Sequence, residues 1–205
     1  LEDLLGRNEI APNLSLLQKN IKGKNVLITG AGGSIGSEIS RQVLKNNPKR
    51  IILLDSNEYA LYSIKNEIEE SETEIDIVGV IANVTNKKRI LEVCSSFEVQ
   101  TIYHSAAYKH VSLVEENPFE AVSNNIKGTK ICAESASETG VETFVLISTD
   151  KAVRPTNIMG ATKRFAGWGN VFRYSWFARQ QGWYQAWLQQ EKERIDRKGL
   201  LHMTE

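Results

Sequence analysis

The sequence predicts an α/β fold built on a doubly wound parallel sheet, and three observations carry that expectation. Short apolar, β-branched runs alternate with amphipathic helical segments from Asn25 to Ser148, a glycine-rich turn follows the first run, and an acidic residue closes the second. Strands covered on both faces of a parallel sheet read as continuous apolar runs, whereas strands with one wet face alternate.

Five such runs are present: Val26-Leu27-Ile28, Ile51 to Leu54, Ile75 to Ile81, Thr101-Ile102-Tyr103 and Phe144 to Ile147. Between the first two, Ile35, Ile39 and Val43 recur at helical spacing. Leu61, Ile64 and Ile68 do the same before the third run, and Ile90, Leu91, Cys94 and Phe97 before the fourth. Asn46-Asn47-Pro48 should stop the first of these helices, and Gly140 the one carrying Ile131 and Ala136. Repeated β-α-β connections of this length demand right-handed crossovers.

Composition narrows the class. A chain of 205 residues supplies one well-buried core. Its 25 basic and 25 acidic side chains cancel, which leaves no electrostatic case for a nucleic-acid partner. No apolar run approaches bilayer-spanning length and no signal peptide opens the chain. Cys94 and Cys132 lie on apolar helical patterns with no metal or redox spacing, so they read as buried, reduced thiols; no metal site and a cytoplasmic location are expected. Because the first residue is Leu1, the chain is expected to be a piece of a longer protein, whose missing segments would be the route to any membrane contact.

The turn after the first strand is Gly30-Ala31-Gly32-Gly33-Ser34-Ile35-Gly36. Glycines at 30, 33 and 36 allow a tight turn, close approach of backbone to a pyrophosphate, and close helix–strand packing, and the helix that opens at Ser34 and Ile35 offers unpaired N–H groups. A glycine triplet alone is weak evidence; the preceding strand, the following helix and Asp55 at the end of the second strand make it a Rossmann-type dinucleotide site. Asp55 is placed to accept from ribose hydroxyls and to repel a 2′-phosphate. Ser56-Asn57 brings no cation for one, so NAD is expected over NADP.

Ligands of such sheets sit beyond the carboxyl ends of the strands. Strand four runs out into His104-Ser105-Ala106-Ala107-Tyr108-Lys109-His110, where small residues let backbone approach a cofactor, and strand five into Ser148-Thr149-Asp150-Lys151. The latter gathers a hydroxyl, a carboxylate and an amine, although a solvated charged turn would look the same. Lys163 follows Met159 by one helical turn, on the same helix face.

Gly30-x-x-Gly33-x-x-Gly36, Tyr108-Lys109-His110-Val111, Asn125-x-x-Gly128-Thr129, Ser148-Thr149-Asp150-Lys151 and Met159-Gly160-Ala161-Thr162-Lys163-Arg164 together resemble one family. It is the bacterial polysaccharide-biosynthesis UDP-N-acetylglucosamine 4,6-dehydratase branch of the extended short-chain dehydrogenase/reductases. The likeness runs from about Leu4-Leu5-Gly6-Arg7 to Arg164. Met159 stands where most short-chain dehydrogenases carry a Tyr, so the proton of the sugar hydroxyl must be handled elsewhere.

The resemblance implies a UDP-sugar substrate, NAD that is regenerated within each turnover, and a homo-oligomer. It implies Lys151 as base toward C5, with a depressed pKa, and Asp150 as acid toward the C6 hydroxyl. Thr149 would bind the C4 hydroxyl and Lys163 the nicotinamide ribose. Asn83-Val84 matches the segment that cups adenine, where the family usually has Asp in place of Asn83, and Asn125 matches a position behind the active site.

The expected organisation is a lead-in over residues 1–22, an NAD-binding domain over 23–166 and an aromatic-rich tail over 167–205. Gly169-Asn170-Val171 resembles the end of the family's sixth strand, but most of the substrate region is not found. All four tryptophans (Trp168, Trp176, Trp183, Trp187) fall in the tail, and the stretch from Trp168 to Trp187 is expected to pack on the domain or a neighbouring subunit. Two other readings stand beside the dehydratase. A nucleotide-sugar epimerase or reductase would not need the Asp150–Lys151 pair, and a catalytically silent dinucleotide-binding module would fit the missing substrate region.

Overall fold

The computed structural model describes residues 14–71 and 74–173. Five strands form one sheet: β1 (Asn25–Thr29), β2 (Arg50–Asp55), β3 (Asp76–Ile81), β4 (Thr101–His104) and β5 (Thr143–Leu146). Their order is β3-β2-β1-β4-β5 and every pairing is parallel. The order reverses beside β1, so a crevice opens beyond the carboxyl ends of β1 and β4.

Alternate residues of each central strand feed two separate cores. Val26, Ile28, Ile51 and Leu53 meet Val43 of α2 (Ser34–Leu44), Leu61, Ile64 and Ile68 of α3 (Glu58–Glu69), and Ile21 at the end of α1 (Leu14–Ile21). Leu27, Ile52, Leu54 and Ile102 meet Ile90, Val93 and Cys94 of α4 (Lys87–Ser96) on the opposite face. That face also takes Ile131, Cys132 and Ala136 of α7 (Thr129–Glu138). Each fully buried aliphatic side chain of this kind contributes roughly 1.5–3 kcal/mol. Burial pushes both thiols up, Cys94 to about 11.

Local chemistry sets the boundaries. Asn57 and Asn86 cap α3 and α4 by accepting from the amides of Ala60 and Arg89. Asn47 and Gly140 take positive φ after α2 and α7, as the stop signals predict. Two expectations need correction. The third and fifth strands are not buried on both faces: β5 is half-buried along its length and only Val80 is buried in β3, and among the described residues each has a strand neighbour on one side only. On α4 the inward stripe is Ile90, Val93 and Cys94, with Leu91 half-buried at its flank.

Beyond β4 the chain forms α5 (Val111–Glu116), α6 (Pro118–Ala121) and a π-helical stretch (Val122–Gly128) that runs straight into α7. After β5 a 3₁₀ turn (Asp150–Ala152) precedes α8 (Ile158–Arg173). Gly169-Asn170-Val171, likened above to a strand end, lies in the last turns of α8. The Leu4-Leu5-Gly6-Arg7 segment and the tail from residue 174, with Trp176, Trp183 and Trp187, lie outside the described residues.

Candidate active site

A cleft of about 270 Å³ lies at the switch point and collects most of the residues expected to bind a cofactor: Gly30, Gly33, Asp55, Ser56, Asn83, Val84, Ala106, Ala107 and Tyr108. The glycines there do different work. Gly30 has φ of +67°, and a Cβ on it would lie 2.7 Å from the Ala106 backbone. On Gly36 a Cβ would collide with the Gly30 carbonyl. Gly33 is exposed and extended, and a Cβ there would meet only the Gly30 oxygen, at 3.3 Å. Gly30 and Gly36 therefore serve the turn itself, whereas Gly33 leaves room on the cleft side. It is also the N-cap of α2, whose first amides have no partner within the helix.

Asp55 is held by the loop it faces: its Oδ2 accepts from the Gly32 amide and its Oδ1 from the Asn57 amide, both at 2.9 Å. Opposite, Lys109 reaches over to donate to Ser34 Oγ at 2.7 Å, which sets an ammonium beside the start of α2. Ile35 and Ser34 border a neighbouring apolar groove and do not line the cleft. Val84 is buried, and Gly128 is a glycine because a Cβ would come within 2.7 Å of Val84 Cγ2.

Asn125 does not line the cleft; it is buried in the π-helical stretch, where it splints the wall. Its side chain accepts from the Tyr108 amide (2.8 Å) and donates to the Tyr108 carbonyl (3.0 Å) and to Thr162 Oγ1 (3.0 Å). His104 is fully buried behind it, with Nδ1 2.7 Å from Thr29 Oγ1 and Nε2 3.0 Å from Thr129 Oγ1. The Thr129 hydroxyl donates to the Asn125 carbonyl at 2.6 Å, so it accepts from Nε2–H, and Nδ1 accepts from Thr29. Burial, and then the charge of Lys163, push His104 down to about 3, so the ring is neutral.

The Thr149-Asp150-Lys151 turn lies at the end of β5. Thr149 Oγ1 donates to Asp150 Oδ1 at 2.9 Å and accepts from the Lys151 amide at 3.4 Å. Lys151 Nζ stands 3.9 Å from the same carboxylate, and both charged side chains are exposed. The Thr149 hydrogen bond, and next the Lys151 charge, hold Asp150 below the usual carboxylate range.

The helix α8 seats directly against this turn. A Cβ on Gly160 would lie 2.5 Å from the Lys151 carbonyl oxygen, so the glycine fixes how closely helix and turn meet. Glu115 Oε1 of α5 accepts from the Ile158 amide at 2.7 Å and caps the helix start. Lys163 is buried, donates to the Ile147 carbonyl at 2.7 Å, and is pushed down to about 8 by desolvation. Met159 packs among Val114 and Ala121. Lys109, His104, Thr129 and Thr162 stood within the quoted motifs and strand end, but none of them had a role of its own assigned from the sequence. The signal for Lys109 was a cation just past a strand end facing the glycine loop, and the other three are recognisable only once their partners are brought together.

Among the described residues no His/Cys/Asp/Glu group could hold a metal ion, and no helix is long and apolar enough to cross a membrane. The parallel sheet, glycine turn and strand-end carboxylate define a Rossmann-type dinucleotide fold. Residues 26–173 match the family described as polysaccharide biosynthesis protein, and the chain belongs to that family.

Relatives agree. Capsular polysaccharide biosynthesis protein CapD of Staphylococcus aureus is 54% identical over 167 residues, which cover 81% of this chain and 28% of CapD. The UDP-N-acetylglucosamine 4,6-dehydratase (inverting) of Campylobacter jejuni strain 81-176 is 34% identical over 142 residues, 69% of this chain and 41% of that enzyme. The X-ray structure of Pen from Bacillus thuringiensis superposes with a TM-score of 0.66 at 36% identity, covering 71% of this chain and 43% of that one. The chain thus spans less than half the length of each of these proteins.

Proposed function

We propose that this chain is the NAD-binding part of an enzyme that converts a UDP-N-acetylhexosamine, UDP-N-acetylglucosamine in the first place, to its 4-keto-6-deoxy derivative for surface polysaccharide synthesis. The observation that carries this is the Thr149-Asp150-Lys151 turn, which sets a carboxylate and an amine side by side just beyond β5, the strand paired with β4, whose continuation lines the dinucleotide cleft. Elimination needs a base at C5 and an acid at C6; redox chemistry at C4 alone needs only a group that takes up the C4 hydroxyl proton. The names of the Campylobacter and Staphylococcus relatives support it.

The cleft fits the cofactor. Gly33 leaves space where a pyrophosphate would lie against the first amides of α2, and Lys109 adds a cation there. Asp55 keeps lone pairs for ribose hydroxyls while its charge opposes a 2′-phosphate, which favours NAD over NADP. When bound, NAD supplies the hydride acceptor that oxidises C4 and returns the hydride at C6. Lys163, close to its neutral form near pH 8, holds the ribose and favours negative charge at the C4 oxygen when protonated.

Thr149 accepts from the C4 hydroxyl while its own hydroxyl donates to Asp150 Oδ1, so the C4 proton passes through Thr149 to the carboxylate as C4 is oxidised. Asp150, protonated in this way, gives that proton to the departing C6 hydroxyl. Lys151 removes the C5 proton once C4 is a ketone. Met159, buried in packing, takes no part in proton transfer. On this proposal, and as the family resemblance implies, the enzyme is a cytoplasmic homo-oligomer, with any membrane contact made by segments outside this chain.

Mass spectrometry of UDP-N-acetylglucosamine incubated with the full-length enzyme should show loss of one water. The Lys151→Ala enzyme should slow dehydration by about 10²–10⁴ and accumulate a sugar two hydrogens lighter, the undehydrated ketone. Asp150→Asn should also lose dehydration, and Met159→Ala should keep it in the folded fraction. Near-normal turnover without Lys151, or collapse in the Met159 variant alone, would return the epimerase reading to first place.

A further inference from the structure

We propose that Asn83 meets the purine of the bound dinucleotide as a hydrogen-bond donor, so that the cleft takes a 6-oxopurine dinucleotide as readily as the adenine one. The proposal rests on the cofactor reading above and concerns which base edge the site recognises.

The polarity of Asn83 is fixed by what holds it. The Thr85 backbone amide donates to Asn83 Oδ1 at 2.9 Å, and the Thr85 hydroxyl donates to the same oxygen at 2.8 Å. A backbone N–H can only donate, so the atom facing Thr85 is the oxygen, and an amide flip would set donor against donor. Two hydrogen bonds occupy both lone pairs of Oδ1. The group Asn83 has left for the cleft is Nδ2, with two N–H donors and no acceptor.

The turn that carries it is firmly placed. The Asn86 amide donates to the Asn83 carbonyl at 3.0 Å, and Val84 is buried against Gly128. Ala82 precedes it, with its amide donating to the Asp55 carbonyl at 3.0 Å. Asn83 is thus a preset donor next to the strand end that holds Asp55, where the adenosine ribose would lie.

Adenine in a dinucleotide offers acceptors at N1, N3 and N7 but a donor at its 6-amino group. Nδ2 can pair with a ring nitrogen and cannot pair with the amino group, so the amino group gains nothing from this residue. A 6-oxo group is an acceptor and suits Nδ2 directly. With Asp at this position, Thr85 would still hold one carboxylate oxygen, while the other would accept from the 6-amino group and repel a 6-oxo oxygen. The single change from Asp to Asn therefore removes the preference for adenine while keeping the turn.

Calorimetric titration of nicotinamide adenine dinucleotide and nicotinamide hypoxanthine dinucleotide into this chain tests the idea. The wild type should bind the two within about threefold of each other. Asn83→Asp should prefer the adenine form by roughly tenfold or more, the scale of a hydrogen bond to a charged group. A wild type that already prefers adenine by tenfold, or a variant with an unchanged ratio, overturns the proposal. The wild-type ratio decides even if the variant does not fold. Binding of neither dinucleotide to the wild type overturns the cofactor reading itself, a result distinct from an adenine preference.

Discussion

Gly33 and Gly36 belong to one loop, yet replacing them should give opposite results. A Cβ on Gly36 collides with the Gly30 carbonyl, backbone against backbone, and nothing there can swing away. Overpacking of this kind costs about 1–3 kcal/mol or more. At about 2–4 °C per kcal/mol for a chain of this size, Gly36→Ala should lower Tm by roughly 2–12 °C. Gly33 sits in extended backbone (φ −73°, ψ 163°) that Val adopts freely, and its only near neighbour is the Gly30 oxygen at 3.3 Å. The loss of a favourable N-cap residue costs at most about 1 kcal/mol, so Gly33→Val should unfold within about 4 °C of the wild type. Its branched side chain fills the space where the pyrophosphate must approach. The assay is thermal unfolding with and without NAD at a hundred times the wild-type Kd. Bound ligand then adds about 2.7 kcal/mol, or roughly 5–11 °C, to the wild type. Gly33→Val should show none of that gain. A full NAD-dependent shift in Gly33→Val would refute the placement of the phosphates, and a large loss of Tm without ligand would show that Gly33 serves the fold.

Two further perturbations test neighbouring parts of the site. Asp55→Ala, which frees the Gly32 and Asn57 amides, should weaken NAD more than NADP in calorimetry; tighter NADP binding by the wild type would contradict the reading of Asp55. His104 has a folded pKa of about 3 against an unfolded value near 6.5. The unfolded chain then binds more protons across that window, and stability is lost as pH falls through it. His104→Gln should flatten this part of the denaturant-derived stability curve, and a wild-type-minus-variant difference that does not change between about pH 6.5 and 3 would show that the ring is not held neutral.

What was legible in the sequence was whatever depends on neighbours along the chain. Val26 to Ile28 and Ile51 to Leu54 read as central strands because both their faces are covered, and their apolar runs record both coverings. The glycine turn and Asp55 were readable for the same reason: strand, turn, helix and carboxylate follow one another at fixed spacing. Edge position was not readable. Phe144 to Ile147 is as apolar as β1, yet among the described residues β5 has one strand neighbour and is half-buried throughout, and composition does not record sheet order. Nor could spacing reveal why Gly160 is a glycine, because the Lys151 carbonyl it must clear belongs to another element. The polar splint has the same origin. Thr29, His104, Asn125, Thr129 and Thr162 come from β1, β4, the π-helical stretch, α7 and α8, and each alone is an ordinary buried polar residue. Joined, they tie the Tyr108 backbone, which lines the cleft, to the helix carrying Lys163. The residues expected to touch ligand are local features of strand ends; the residues that hold those ends in register are long-range pairs, and only folding brings them together.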